Sequence, residues 1–308
     1  MKVAIAGSSG QIGTALAARL SSGGHEVKRL VRGTAGTPGK DWDPGQHWMS
    51  GTALEGVDAV VNLCGASIGD GRWNEKRKEL LRSSRLDPTR TLVETMAGLD
   101  GGPKRLINAS AVGYFGDRDD EELTEDSSRG EGFLADLVAD WEAAALEGAD
   151  RGLEVTCARF GVVLSKDGGA LGKMLLPFKL GLGGPLGNGR QWFSWVTLDD
   201  ATRALTHLLA GGEQAVNVVS PGAVTNREFT KALGSALRRP AFIPIPRFGM
   251  RLLFGESADE LLFASQRVRP MRLLAGGFEF EHPDIASGLA AALERAAPAE
   301  DHDEGSGE

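Results

Sequence analysis

The chain has 308 residues, 41% hydrophobic and 25% charged, enough to bury a full core in one large domain or a domain with an appendage. A formal net charge of −8 argues against nucleic acid or an anionic membrane as a partner, so neither is expected, although locally positive pockets could exist. Cys64 and Cys157, the two cysteines, lie in apolar runs and read as buried thiols, not as a disulfide framework. No signal-like segment precedes the first apolar run and no run reaches spanning length, so the expected location is the cytoplasm.

Val3–Ala6 is a continuous apolar run that reads as a buried parallel strand. Gly7, Gly10 and Gly13 follow, interleaved with Ser8, Ser9, Gln11 and Ile12, and a helical pattern begins at Thr14. Strand, glycine turn and helix in that order form a dinucleotide-binding turn. The glycines let the backbone close on a pyrophosphate, and the helix N-terminus faces the anion. Glu26–Arg32 reads as the second strand, ending in Arg32 without a carboxylate beside it. An acid there would hold ribose hydroxyls, whereas an arginine suits a 2′-phosphate, so the expected cofactor is NADP(H). A solvated strand-end charge is the other reading of Arg32.

Residues 33–51, rich in Gly, Pro, Asp and Trp, predict a loop without regular structure. Asp58–Gly65 is the next buried strand, and its end, Leu63, Cys64 and Gly65, would line the cofactor. A basic helix over 74–85 follows, and Pro88 should kink it or force a restart before 89–97. Lys104–Ser110 is a strand that delivers Ser110 to the sheet edge where ligands bind in open α/β folds. An acidic loop over 117–131 leads to a helix over 133–146, then a strand over 153–161. This alternation predicts an α/β fold, a Rossmann-type doubly wound parallel sheet.

From Gly168 to about 195 the texture turns glycine-rich and apolar, as in a loop that covers a ligand. A helix over 200–209, a strand over 215–219 and a helix over 226–237 come next, with Thr225-Asn226 as its cap. Asp199-Asp200 read as capping residues at a helix start. Helices are expected over 248–254 and 257–267, and disorder in the acidic tail 296–308. The five histidines show no ligand spacing, so no metal is expected.

The Gly-x-x-Gly-x-x-Gly spacing resembles the extended branch of the short-chain dehydrogenase/reductase superfamily. Asn108-Ala-Ser-Ala-Val-Gly-Tyr-Phe-Gly116 resembles its serine segment, which implies Ser110 as the catalytic serine. By the same resemblance Trp141-Glu142 closes the helix that elsewhere carries Tyr-x-x-x-Lys, and the matching positions here are Leu134 and Val138. Neither titrates. Tyr114, the only tyrosine, sits in the loop after Ser110 and is either a surrogate acid or a packing aromatic with a wet hydroxyl.

With Ser84-Arg85, Arg72-Trp73, the segment 175–185 and the C-terminal 239–246, 265–270 and Gly277-Phe278, the chain is similar over 1–295 to the atypical epimerase-family (nucleoside-diphosphate-sugar-epimerase-like) subgroup. The resemblance implies Arg32 and Arg85 as NADP(H) ligands and a small, mostly helical C-terminal module. The expected organisation is a cofactor domain over 1–235 with a lid at 168–195, and the module over 236–295. Two functions fit. One is an NADP(H)-dependent oxidoreductase or epimerase-like enzyme for a small polar, sugar-like substrate, with Ser110 on the reacting oxygen. Its proton would come from water, Tyr114, Arg190 or Gln191. The other is a non-catalytic NADP(H)-binding module that reports redox state.

Overall fold

Short apolar runs that must hide both faces can only form interior parallel strands, and the computed structural model, which describes residues 1–294, places them so. The strands are β1 (Lys2–Ala6), β2 (Glu26–Arg29), β3 (Ala59–Asn62), β4 (Arg105–Ala111), β5 (Glu154–Phe160) and β6 (Ala215–Val218). They form one six-stranded sheet in the order β6-β5-β4-β3-β1-β2, every pairing parallel. From β1 the chain goes outward to β2 and back across to β3. The strand order therefore reverses at the C-terminal ends of β1 and β3, where open sheets leave a crevice.

The helices are α1 (Gln11–Ser22), α2 (Glu75–Gly98), α3 (Phe133–Leu146), α4 (Gly169–Lys179), α5 (Leu198–Leu208), α6 (Asn226–Ala236), α7 (Arg247–Phe254), α8 (Met271–Ala275) and α9 (Ile285–Leu293). Strand parity decides which face each covers. Val3, Ile5, Val61 and Ile107 pack with Leu16 and Leu205 of α1 and α5. Ala4, Ala6, Val60 and Leu106 pack with Leu92, Met96 and Ala145 of α2 and α3. Helices thus cover both faces of a parallel sheet, the doubly wound α/β arrangement expected from the sequence.

Several elements differ from expectation. The second strand ends at Arg29 rather than Arg32, because its register with β1 runs from Lys2↔Glu26 to Ile5↔Arg29 and β1 stops at Ala6. The segment 33–51 is not without structure: Trp42–Asp43 and Trp48–Met49 pair as a small antiparallel ladder around a 3-10 turn. Burying the Trp42 indole, 1% exposed, supplies the driving force.

The helix does not restart after Pro88; α2 runs unbroken from Glu75 to Gly98. Proline costs a helix interior about 3 kcal/mol, and the buried row Leu81, Pro88, Leu92 and Met96 outweighs it. The expected helix 257–267 starts as expected but ends at Phe263, Asp259–Phe263 being wound as a wide turn, and is followed by Arg267–Val268, which pairs with Glu122–Leu123 from the acidic loop. Thr225 caps α6 in a reciprocal box with Glu228. Asp199 and Asp200 do not cap α5. Thr197 does, and buried Asp200 instead accepts the Glu281 and His282 N–H groups, tying the C-terminal segment to the start of α5. The expected disorder at 296–308 lies outside the described residues.

Candidate cofactor and active site

The glycine turn between β1 and α1 has almost no room to spare. Gly7 sits at φ +77°, where L side chains are strained, and a Cβ there would stand 2.7 Å from the Leu63 carbonyl. At Gly13 a Cβ would overlap the Gly7 carbonyl oxygen and come within 2.8 Å of the Ser8 Cα. Gly10 N–H closes the turn on the Gly7 carbonyl at 3.1 Å. No side chain caps α1, and its first turn carries no acid. The first N–H groups, from Gln11 to Gly13, keep their donor capacity and the positive end of the helix dipole. Ser8 is nearly buried, Ser9 is exposed, and Gln11 and Ile12 are half-buried.

Three arginines surround this turn. Arg29 donates from Nη1 to the Ser8 carbonyl at 3.0 Å, so the arginine that touches the turn is the last residue of β2, three positions before Arg32. Arg32, exposed and bridged through its backbone to Trp42, lies against the Cys64 thiol. Burial pushes that thiol up to about 11, and the Arg32 charge and hydrogen bond only partly oppose it. Arg85 from α2 folds around the end of β3. It donates to the Leu81 and Ala66 carbonyls at 3.1 Å each and faces the Trp141 ring at 5.2 Å. A Cβ on Gly65 would stand 3.1 Å from the Arg85 guanidinium carbon, which explains a glycine there. Burial, and secondarily the charge of Arg77, lowers Arg85 to about 10. Among the described residues no carboxylate pairs with Arg29, Arg32 or Arg85, so the neighbourhood is cationic and suited to an anion.

Beneath these groups a buried polar network sets the strand ends. Asn62 donates to Asn108 Oδ1 at 2.7 Å and to Thr89 Oγ1 at 3.0 Å. Its own Oδ1 accepts the Cys64 N–H at 3.1 Å, and Trp141 Nε1 donates to Thr89 at 2.9 Å. The path Leu63-Cys64-Gly65 is thereby held beside Gly7.

Ser110 lies near the end of β4 and is 3% exposed. Its hydroxyl donates to Glu142 Oε1 at 2.5 Å. Glu142 is gripped in turn by Arg159 of β5, with Nε on Oε1 and Nη2 on Oε2, both at 2.7 Å. Desolvation works against the Arg159 charge, but the Glu142 hydrogen bonds and charge outweigh it and raise its pKa. The guanidinium stacks on Tyr114 at 3.7 Å, so Tyr114 packs over a buried ion pair with its ring only partly exposed. Val138 is buried and Leu134 half-buried, and both approach Gly113, where a Cβ would meet Leu134 at 3.4 Å and Val138 at 3.8 Å. The structure therefore gathers Ser110, Tyr114, Glu142 and Arg159 into one cluster. The roles of Glu142 and Arg159 were hidden because the two are 17 residues apart, on a helix and a strand.

The glycine-rich segment 168–195 contains α4, which starts against the cofactor turn: a Cβ on Gly169 would lie 3.4 Å from Gln11 Oε1. Gln191 is engaged elsewhere, donating to the Leu186 and Leu262 carbonyls, whereas Arg190 is exposed. The C-terminal segment closes the opposite wall. Glu260 accepts the Phe133 and Leu134 N–H groups at 3.0 and 2.7 Å, supplying from a distant turn the cap that α3 lacks in its own sequence.

A parallel doubly wound sheet, a tight uncapped glycine turn at its switch point and arginines beside that turn define a dinucleotide-binding fold. The family model described as NAD dependent epimerase/dehydratase family matches residues 3–219, and one described as a domain of unknown function (DUF1731) matches 245–292. The chain belongs to the NAD-dependent epimerase/dehydratase family. It is similar to an epimerase family protein of Mycobacterium bovis, 46% identical over 296 residues, covering 95% of this chain and 98% of the relative. Epimerase family protein SDR39U1 of Homo sapiens is 39% identical over 295 residues, covering 94% and 98%. The crystal structure of the human SDR39U1 protein with NADPH superposes with a TM-score of 0.86 at 38% identity, covering 95% of this chain and 99% of that one.

Proposed function

We propose that this protein binds NADP(H) along the C-terminal edge of the sheet and acts as an atypical oxidoreductase or epimerase-like enzyme on a small polar substrate. The observation that carries the reading is the glycine turn, closed to any Cβ at Gly7 and Gly13 and open at the N–H groups of α1, with Arg29 and Arg32 beside it and no acid at the end of β2. NADPH in the SDR39U1 structure supports the same cofactor. Gly7 to Gly13 would take the pyrophosphate, Arg29 and Arg32 the 2′-phosphate, and Leu63, Cys64 and Gly65 the path of the cofactor past β3. Arg85 would hold the turn after Gly65 in place and add positive charge.

When bound, the nicotinamide would supply or accept hydride. Ser110 would meet the reacting oxygen under a constraint: its proton is already given to Glu142, so toward a substrate it offers lone pairs. It would accept a hydrogen bond from a substrate hydroxyl, and Arg159 would keep Glu142 oriented for that arrangement. Tyr114, partly open to solvent, or water would be the source of the proton, whereas the exposed Arg190 guanidinium does not deprotonate and could only orient a substrate.

The second reading, a cofactor-binding module without turnover, is favoured by Leu134 and Val138, which put apolar side chains where the resemblance expects an acid and its lysine. Turnover of a carbonyl and alcohol panel, compared between wild type and Ser110→Ala, separates the two. Loss of measurable turnover with unchanged NADPH affinity supports the enzyme. Absence of turnover in the wild type across the panel, with tight NADPH binding, supports the module.

A further inference from the structure

Nine of the fourteen large apolar side chains that stand exposed among the described residues fall in two stretches, 176–182 and 242–254. They are not marginal cases: Leu176 is 66% exposed, Leu182 68%, Phe242 75% and Phe248 78%. Scattered single exposures need no explanation, but a cluster does. The two stretches are joined. Ile245 donates to the Pro185 carbonyl at 2.8 Å, and Gly187 to the Ile245 carbonyl at 2.9 Å. Pro240 lies 3.8 Å from the place a Gly181 Cβ would take.

Helix α7 follows directly from Pro246 and has no buried residue. It is held instead by polar ties. Arg72 donates to the Leu252 and Leu253 carbonyls, and Arg247 and Arg251 share Asp259. Its Phe248, Leu252 and Leu253 side chains remain uncovered.

The charge around this patch is opposite to that of the whole protein. Residues 170–190 and 227–251 carry nine Lys and Arg and one acid, Glu228, in a chain of net charge −8; Asp70 pairs with Lys173, and Asp259 with Arg247 and Arg251, which leaves the surroundings of the patch net positive. Glu228 is occupied in the cap of α6. Among the described residues Lys179, Arg190, Lys231, Arg238 and Arg239 pair with no carboxylate. Lys179 precedes Leu180 in the chain, and Arg238 and Arg239 come shortly before Phe242.

We infer that the 176–182 and 242–254 patch is a docking surface for an anionic lipid bilayer, with α7 lying in the interface. The arrangement has the two required parts: Phe and Leu side chains to enter the headgroup boundary, and cations beside them to meet acidic lipid. Charge also argues against the simplest rival. In a two-fold dimer the same surface faces itself, which would set one cationic ground against another. The net charge of the molecule does not prevent the contact, because exposed charges beyond a screening length of about 8 Å contribute little at physiological salt.

The test uses the full chain sedimented with vesicles of phosphatidylcholine alone and of phosphatidylcholine with one-third phosphatidylglycerol, at low and high salt. Wild type should sediment with the mixed vesicles only, and less at high salt. The double variant Phe248→Glu with Leu252→Glu, and separately Arg238→Glu with Arg239→Glu, should each lose about tenfold in partitioning. Because these side chains are exposed, thermal unfolding and NADPH affinity should stay as in wild type. Failure of the wild type to bind mixed vesicles overturns the inference, as does equal binding by the variants. A dimer in light scattering that Phe248→Glu dissociates would give the surface to a second copy. Binding to an acidic polypeptide while vesicles are ignored would give it to a protein partner.

Discussion

Substituting Glu142 should expose how much of the site rests on one buried ion pair. The Glu142 and Arg159 side chains are 7% and 5% exposed and meet through two 2.7 Å hydrogen bonds, with the Ser110 hydroxyl as a third donor. Glu142→Ala removes the acceptor of all three. It leaves a guanidinium buried with the Glu125 carbonyl, at 3.4 Å, and the Tyr114 face as its remaining polar contacts. Breaking a buried pair on one side costs about 3–5 kcal/mol, most of it the cost of the stranded charge. Removing both charges together, in Glu142→Leu with Arg159→Met, should cost far less, within about 1–2 kcal/mol of wild type, because no unpaired ion remains. Ser110→Ala deletes one charge-assisted donor and should cost about 1.5–3 kcal/mol. Urea unfolding followed by tryptophan fluorescence and circular dichroism reads all three. If Glu142→Ala lies within 1 kcal/mol of wild type, or the double variant is as unstable as the single one, the pair is not the anchor described here.

Other outcomes follow from the same geometry. Gly13→Ala should overpack the turn against Gly7 and Ser8, costing about 1–3 kcal/mol in stability, and should weaken NADPH binding at least tenfold by calorimetry. Glu260→Ala uncaps α3 at Phe133 and Leu134 and should cost about 1–2 kcal/mol in urea unfolding, with Glu260→Gln recovering part of it. Cys64 is held protonated in the folded state up to about 11, above its ordinary 9.0. The unfolded chain therefore releases this proton first, and the stability the thiol contributes, fully present below pH 9, should fall between pH 9 and pH 11. The difference between wild type and Cys64→Ala should then shrink across that window by about 1.4 kcal/mol per pH unit, and a constant difference would contradict the assignment.

The parts of the fold legible in the sequence were those encoded locally. Val3–Ala6 with Gly7, Gly10 and Gly13 carries strand, turn and helix start within a dozen residues; the structure places strand and turn there and begins the helix at Gln11, three residues before the expected Thr14, because Gly10 already takes the N-cap position. What escaped was set by partners far along the chain. Arg29, not Arg32, ends the second strand because β1 supplies only a few ladder positions, a matter of register that residues 26–32 do not contain. The segment 257–267 has helical spacing, yet Glu260 is drawn to the N-terminus of α3, and Ser265 N–H to Asp117, so the helix ends at Phe263. Glu142 was visible as a motif letter, while its function as the acceptor for both Ser110 and Arg159 required the sheet to bring β4, β5 and α3 together. Pro88 does not end the helix because the cost of a proline is local, whereas the packing that outweighs it is tertiary.

In the proposed reading the glycine turn and the arginines beside it select NADP(H). Titration of the protein with NADPH and with NADH, followed by tryptophan fluorescence and repeated on Arg29→Ala and Arg32→Ala, tests it most directly. NADPH should bind tightly and NADH much more weakly, and each substitution should erode that preference by about tenfold or more, as expected when a charge-assisted contact to a phosphate is lost. Equal affinity for the two cofactors in the wild type, or a preference untouched in both variants, would contradict it.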